Sequence, residues 1–227
     1  MRRFPWFVWM IALLLMPHRA DAGAWPREEG TRFTSVKYTL ADREEIDRPG
    51  YLSVYSERGL PHRLTFGYDG GSNLDDYGFS GVLYLRKSLP WRAHWFGFEL
   101  GVGLKGEYDE YGQLHTEPIV RPGLSWGRGL SFRGLNGWAG LESFAEVWVD
   151  SQETAVKLDG TLGFSSARGD LFILQLQSGQ YPGSDPYLRL APSYVRAVGP
   201  VQLELGLQQE LTGQTRTGLV FGIWTEF

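Results

Sequence analysis

Between residues 95 and 105 the chain alternates strictly: Phe96, Phe98, Leu100, Val102 and Leu104 fall on one side, and Trp95, Gly97, Glu99, Gly101, Gly103 and Lys105 on the other. Successive side chains of a strand point to opposite faces. The segment therefore reads as a strand with one wholly apolar face and one face of glycine and charge. The same rhythm returns at 153–165, where Thr154, Val156, Leu158, Gly160, Leu162 and Phe164 oppose Glu153, Ala155, Lys157, Asp159, Thr161, Gly163 and Ser165. It returns at 201–208, with Val201, Leu203, Leu205 and Leu207 against Gln202, Glu204, Gly206 and Gln208. Leu64, Phe66 and Tyr68 oppose Arg63, Thr65, Gly67 and Asp69, and 172–177 repeats the pattern more weakly.

Clusters of Gly, Asp, Pro, Ser and Asn separate these runs and supply turn chemistry. Connections are expected at 42–48, 57–60, 69–75, 87–91, 107–116, 127–136, 150–152, 166–169, 178–185, 198–200 and 211–215. The segments between them number about twelve strands, with boundaries good to a few residues. Odd-numbered connections include the longer polar loops and even-numbered ones the short turns, although 69–75, 127–136 and 150–152 blur the alternation. Short turns at one end and long loops at the other are expected of an up-and-down barrel in an outer membrane. An even strand count brings both termini to the periplasmic end. No heptad pattern, linker or fixed-period repeat interrupts the chain.

The first residues obey a different pattern. Arg2 and Arg3 precede a nearly unbroken apolar run over residues 4–16, and Ala20-Asp21-Ala22 follows with small residues flanking one polar position. This is the layout of a secretory signal peptide cut after Ala22. The run is shorter than the ~20 residues a spanning helix needs. The chain thus divides into a signal at 1–22 and one domain at 23–227.

Composition sharpens the choice among all-β architectures. Cysteine is absent, so an exported chain of this kind has no disulfides, no thiol chemistry and no cysteine metal site. Aromatic residues make up 15% of the chain, with nine Trp, and there are 30 Gly. Yet mean hydropathy is −0.25, and no stretch after the signal is apolar enough to cross a bilayer as a helix. Lipid-facing strands average out as mildly hydrophilic because only alternate residues are apolar. The net charge of −4, without a basic run, argues against nucleic acid as a partner. A soluble sandwich would set richly charged outer faces against an apolar core. Here the polar faces are small: Gly97, Gly101, Gly103, Gly163 and Gly206 recur beside isolated charges. That suits a crowded polar lumen inside a closed barrel, the only all-β form whose backbone is satisfied in lipid. A soluble periplasmic β-protein is the competing reading. Tyr51, Tyr68, Tyr77, Trp91, Trp126, Trp138, Trp148, Tyr187 and Trp224 lie near strand ends, where membrane-interface aromatics are expected.

The last nine residues, Leu219-Val220-Phe221-Gly222-Ile223-Trp224-Thr225-Glu226-Phe227, resemble the closing strand of bacterial outer-membrane β-barrels. Counting back in twos from Phe227 gives Thr225, Ile223, Phe221 and Leu219; Thr225 departs from the apolar residue usual there. The resemblance implies a Gram-negative outer membrane as location and an assembly signal carried by Phe227, Ile223, Phe221 and Leu219. It also implies the barrel assembly machinery as a partner during biogenesis, and outer-membrane lipids and lipopolysaccharide as surroundings. Residues 23–30, Gly-Ala-Trp-Pro-Arg-Glu-Glu-Gly, resemble the opening of exported proteobacterial barrels and imply no activity.

Candidate chemistry is sparse. His62 and His94 share parity with apolar neighbours near expected periplasmic strand ends and read as interfacial residues. His115 lies in an expected outer loop. A lipid hydrolase on the outer rim would need a nucleophile, a base and an orienter within hydrogen-bond reach. The available set is His115, Glu117 or Glu110, and Ser151 or Ser178. No metal-ligand spacing, cofactor loop or nucleophile elbow appears. The inward face is the better candidate: by parity it carries Glu99, Lys105, Arg121, Glu142, Glu146, Lys157, Asp159, Arg189 and Glu204. Such charges either fill the lumen as a salt-bridged plug or line a narrow aqueous path for small solutes. Eight-stranded barrels are filled and sixteen-stranded ones open, so about twelve strands decides neither, while the lumen glycines lean towards open space. A porin-like channel, a structural or interaction barrel with a sealed lumen, and a lipid hydrolase all remain open at this point.

Overall fold

A computed structural model describes residues 23–40, 50–74, 77–109, 111–132, 134–213 and 216–227. The expected signal peptide and the loop at 42–48 lie outside the described residues. Period-two alternation has produced twelve strands: β1 (Arg32–Leu40), β2 (Tyr51–Leu60), β3 (Leu64–Asn73), β4 (Phe79–Trp91), β5 (His94–Tyr108), β6 (Leu114–Phe132), β7 (Leu135–Trp148), β8 (Thr154–Ser165), β9 (Leu171–Gln180), β10 (Tyr187–Val198), β11 (Val201–Glu210) and β12 (Thr217–Glu226). Each pairs antiparallel with the strand before and after it, and β12 pairs with β1 to close the ring. Arg32 and Phe227 seal the seam by exchanging backbone bonds of 2.7 and 3.0 Å. Closure leaves no unpaired sheet edge.

The expected turns at 57–60 and 87–91 are wrong in position. Glu57 and Lys87 belong to strands, and the chain reverses instead at Pro61–Arg63 and between Trp91 and His94. Likewise 127–136 is mostly strand, and only two residues separate β6 from β7. Glu57, Gly59, Gly127 and Gly129 belong to the inward face of these strands, and Arg58, Lys87 and Arg128 to the outward face, opposite Phe66, Phe98 and His94. With the turns relocated, the short connections all fall at the end that carries the termini, the periplasmic end. Gly199 shows the local chemistry: in the two-residue turn between paired Val198 and Val201 it takes a φ of 62°, a conformation that glycine adopts without a steric penalty.

The apolar faces look outwards and nothing in the fold covers them. Leu85, Leu100 and Pro122 form one cross-strand row, and Leu83, Val102 and Val120 the next. On the far wall Leu203, Ile223 and Val36 make another. Leu100 is 60% exposed. A belt of this kind is stable only against hydrocarbon, so the barrel stands in a membrane. Strands β5 and β6, of 15 and 19 residues, exceed the ~9–11 that a bilayer requires and project beyond it as a hairpin at the outer end.

The expected aromatic belt divides into two sets. At the periplasmic rim Trp91 and Trp126 flank His94, with ring centroids 6.2 and 5.7 Å away, and the Trp126 indole donates to His94 Nδ1 at 3.0 Å. His94 is thus interfacial, as its parity implied. Trp138, Trp148 and Trp224, by contrast, point into the barrel, as do Tyr51 and Tyr187. Their strand parity, which they share with the interior charges, places them there; nearness to a strand end does not.

Candidate functional site

The interior has two unlike halves. Against β2–β7 it is densely packed, with a small void of about 50 Å³ beside Arg86, Glu99 and Arg121. Glu57, only 2% exposed, receives Arg27 Nε at 2.7 Å and a close contact from Arg86 Nη2. The Tyr55 hydroxyl donates to the same carboxylate at 2.6 Å, and the Tyr84 hydroxyl lies 3.0 Å from it. The ion-pair chain continues from Arg86 to Glu99 at 3.8 Å, from Glu99 to Arg121 at 3.1 Å, and from Arg121 to Asp69 at 2.7 Å and Glu146 at 3.9 Å. Buried charges survive only when paired and hydrogen-bonded; here Glu57 lies between Arg27 and Arg86, Glu99 lies between Arg86 and Arg121, and Asp69 and Glu146 end the chain on Arg121. The lumen glycines do not mark free space as expected. Gly67 sits under the ring of its cross-strand neighbour Tyr84, and Gly163 under that of Trp138.

A cavity of about 1460 Å³ lies chiefly against β8–β12 and β1 and is bordered on its other side by Tyr51, Ser53, Ser80 and Glu142. It reaches from Asn73, Tyr181 and Asp185 at the outer end to Trp224 and Glu226 near the periplasmic end. Amides (Gln175, Gln177, Gln202, Gln208) and rings (Tyr181, Tyr187) supply much of its wall. Its fixed charges are mixed in sign. Lys157 pairs with Asp159 at 3.1 Å, and Lys37 with Glu204 at 3.0 Å, while the Trp224 indole donates to Glu204 at 2.8 Å.

The nine residues singled out by parity are distributed between these halves. Glu99, Arg121 and Glu146 belong to the ion-pair chain, the last two also bordering the cavity; Glu142, Lys157, Asp159, Arg189 and Glu204 line the cavity. Lys105 stands nearer the outer end, its ammonium 3.2 Å from the Trp148 ring centroid and 3.6 Å from Glu117. Sequence reasoning missed Glu57, Asp69, Arg86 and Lys37. The first two were assigned to turns, although Tyr55 and Glu57 alternate with Val54 and Ser56 and so carried the signal. Arg27 had no periodic signal at all. It enters from a strap, residues 23–30, that passes inside the barrel. The strap backbone crosses Gly59, where a β-carbon would collide with it, and Trp25 packs near Trp138, Leu171 and Val195.

The hydrolase residues do not assemble. His115 Nε2 bonds Asp109 Oδ2 at 3.0 Å, Glu117 accepts the Ser151 backbone N–H at 2.7 Å, and the Ser178 hydroxyl donates to the Leu158 carbonyl. Glu110 lies outside the described residues. No cluster of metal-ligating side chains occurs among the described residues. Asp109 organises the outer hairpin, its Oδ1 accepting the backbone N–H groups of Tyr111 and Gln113 at 2.9 and 2.8 Å. The hydrogen bond with His115, followed by those of the backbone, holds its carboxyl below the usual aspartate range. A depressed carboxylate stabilises the folded loop above its unfolded pKa, and that contribution is lost as pH falls through the folded value. The Tyr111 and Gln113 amides are therefore expected to be protected from hydrogen exchange at neutral pH. After correction for intrinsic rates, that protection should vanish below the ordinary aspartate range. Protection independent of pH would show that Asp109 does not hold the loop.

Neither a family model nor a curated sequence matches the chain. Among solved structures it is similar to the KdgM porin, with a TM-score of 0.59 at 7% identity over 86% of this chain and 99% of that one. It is similar also to the KdgM porin in complex with disordered oligogalacturonate, with a TM-score of 0.57 at 9% identity and the same coverage. At such identities the likeness is one of fold. Together with the closed ring and the uncovered apolar belt, it makes this chain a bacterial outer-membrane β-barrel with a porin-like fold.

Proposed function

We propose that the barrel is a narrow channel for small polar solutes. The observation that carries this reading is the cavity, which runs most of the height of the barrel and is walled by amides, rings and paired charges. Charges of both signs give no strong single-sign field, so the favoured solutes are uncharged or zwitterionic and ion selectivity is weak. Phospholipid and lipopolysaccharide surround the belt. The assembly machinery reads the closing strand through Leu219, Phe221, Ile223 and Phe227, whose side chains all face outwards.

Reconstituted in planar bilayers, the protein is expected to give discrete conductance steps with little preference between cations and anions. Lys157→Glu should turn the preference towards cations. A folded barrel that stays electrically silent would sink this proposal. It would favour instead a sealed barrel whose outer vestibule binds a partner, a reading supported by the densely packed β2–β7 half and by the strap.

A further inference from the structure

Glu142 is the anomaly of the interior. Glu57, Asp69, Glu99, Glu146, Asp159 and Glu204 each have a cation within 4 Å. Glu142 projects from β7 into the same space, between the Arg86–Glu99 and Lys157–Asp159 pairs, with no ion pair or hydrogen bond to any described residue. What lies against it is the strap. Gly23 is buried, and a β-carbon added to it would overlap the Glu142 carboxylate. Next to it Ala24 is 1% exposed. Two further contacts hold the strap: the Trp25 ring lies where a side chain on Gly127 would be, and Arg27 is bound to Glu57. The strap thus brings the backbone of residue 23, which has no side-chain charge, to a cavity-facing carboxylate that has no ion pair with a described residue.

We propose that the missing cation is the chain's own amino terminus. Hydrolysis of the Ala22–Gly23 peptide bond by signal peptidase adds one water, leaves a carboxylate on Ala22 and leaves an ammonium on Gly23. That nitrogen is one bond from the α-carbon already in contact with Glu142. The mature terminus then docks inside the barrel as an ammonium on Glu142, and the strap becomes an internal plug fastened at both ends, by Arg27 on Glu57 and by Gly23 on Glu142. Glycine at 23 lets the carboxylate sit against the backbone, since a side chain there would have to move it aside. The inference does not depend on the lumen conducting.

The test uses protein purified from outer membranes, with folding checked by heat-modifiable gel mobility. Intact mass should place the mature terminus at Gly23, and any other start overturns the proposal. In the folded protein an amine-acetylating reagent, read at the N-terminal peptide, should modify Gly23 about tenfold more slowly than in urea, the factor that ~1.4 kcal/mol of charge-assisted hydrogen bonding supplies. Folded Glu142→Gln should label at close to the unfolded rate. Equal rates in folded and unfolded wild type would overturn the docking, with no variant needed. Slow labelling that Glu142→Gln leaves unchanged would overturn the ion pair.

Discussion

Glu57→Ala is expected to lower the stability of the barrel by about 3–5 kcal/mol, the usual result of removing one partner of a buried ion pair. Glu57 is the only carboxylate that both Arg27 and Arg86 contact within 3 Å among the described residues, and these guanidiniums are 7% and 4% exposed. Without it the carboxylates next in reach are more distant, Glu226 at 3.7 Å for Arg27 and Glu99 at 3.8 Å for Arg86. The Tyr55 hydroxyl loses its acceptor as well. Glu57→Gln preserves shape and one acceptor, so it should cost about 1.5–3 kcal/mol, the worth of hydrogen bonds to a charged group. Urea unfolding in lipid vesicles measures both. If the alanine variant unfolds at the wild-type midpoint, the ion-pair chain does not support the packed half.

Leu100→Arg tests the outside in the same way. Leu100 lies mid-strand in β5, between Leu85 and Pro122, and is 60% exposed. On a water-facing surface such a change falls within about 0.5 kcal/mol of neutral. At the midplane of a bilayer an arginine costs ~2–4 kcal/mol, and the cost falls towards the interfaces. Unfolding from vesicles should therefore show a loss of that size at Leu100. The loss should be much smaller for the same change at Leu114, which lies in the projecting hairpin. Equal, near-zero effects at both sites would mean that the belt does not face hydrocarbon.

Most of the wall was legible from the chain alone, and the physical reason is its periodicity. A strand in a membrane barrel has one face in lipid and one in the lumen, so Phe96 to Leu104 and Leu203 to Leu207 declare both faces without any knowledge of their neighbours. Parity alone was enough to group Arg121, Glu142 and Glu204 as one inward set. Errors arose where composition outweighed parity. Glu57, Asp69 and Lys87 looked like turn residues because they stand beside glycine or proline, yet the paired strands on either side hold them in the ladder. Trp138 and Trp224 looked interfacial because they are near strand ends, yet their register turns them inwards.

The amino-acid sequence by itself determined the strand class, the number of strands, the lipid-facing rows and the closing strand, because each follows from local alternation in a two-faced environment. Only the tertiary structure decided which inward charges meet, that one half of the lumen is densely packed while the other holds a cavity, and that residues 23–30 run back inside. Those outcomes depend on curvature and register bringing together side chains from β1, β2, β4, β5 and β7 across the ring, and on a strap without periodicity. Spacing along the chain carries no record of any of them.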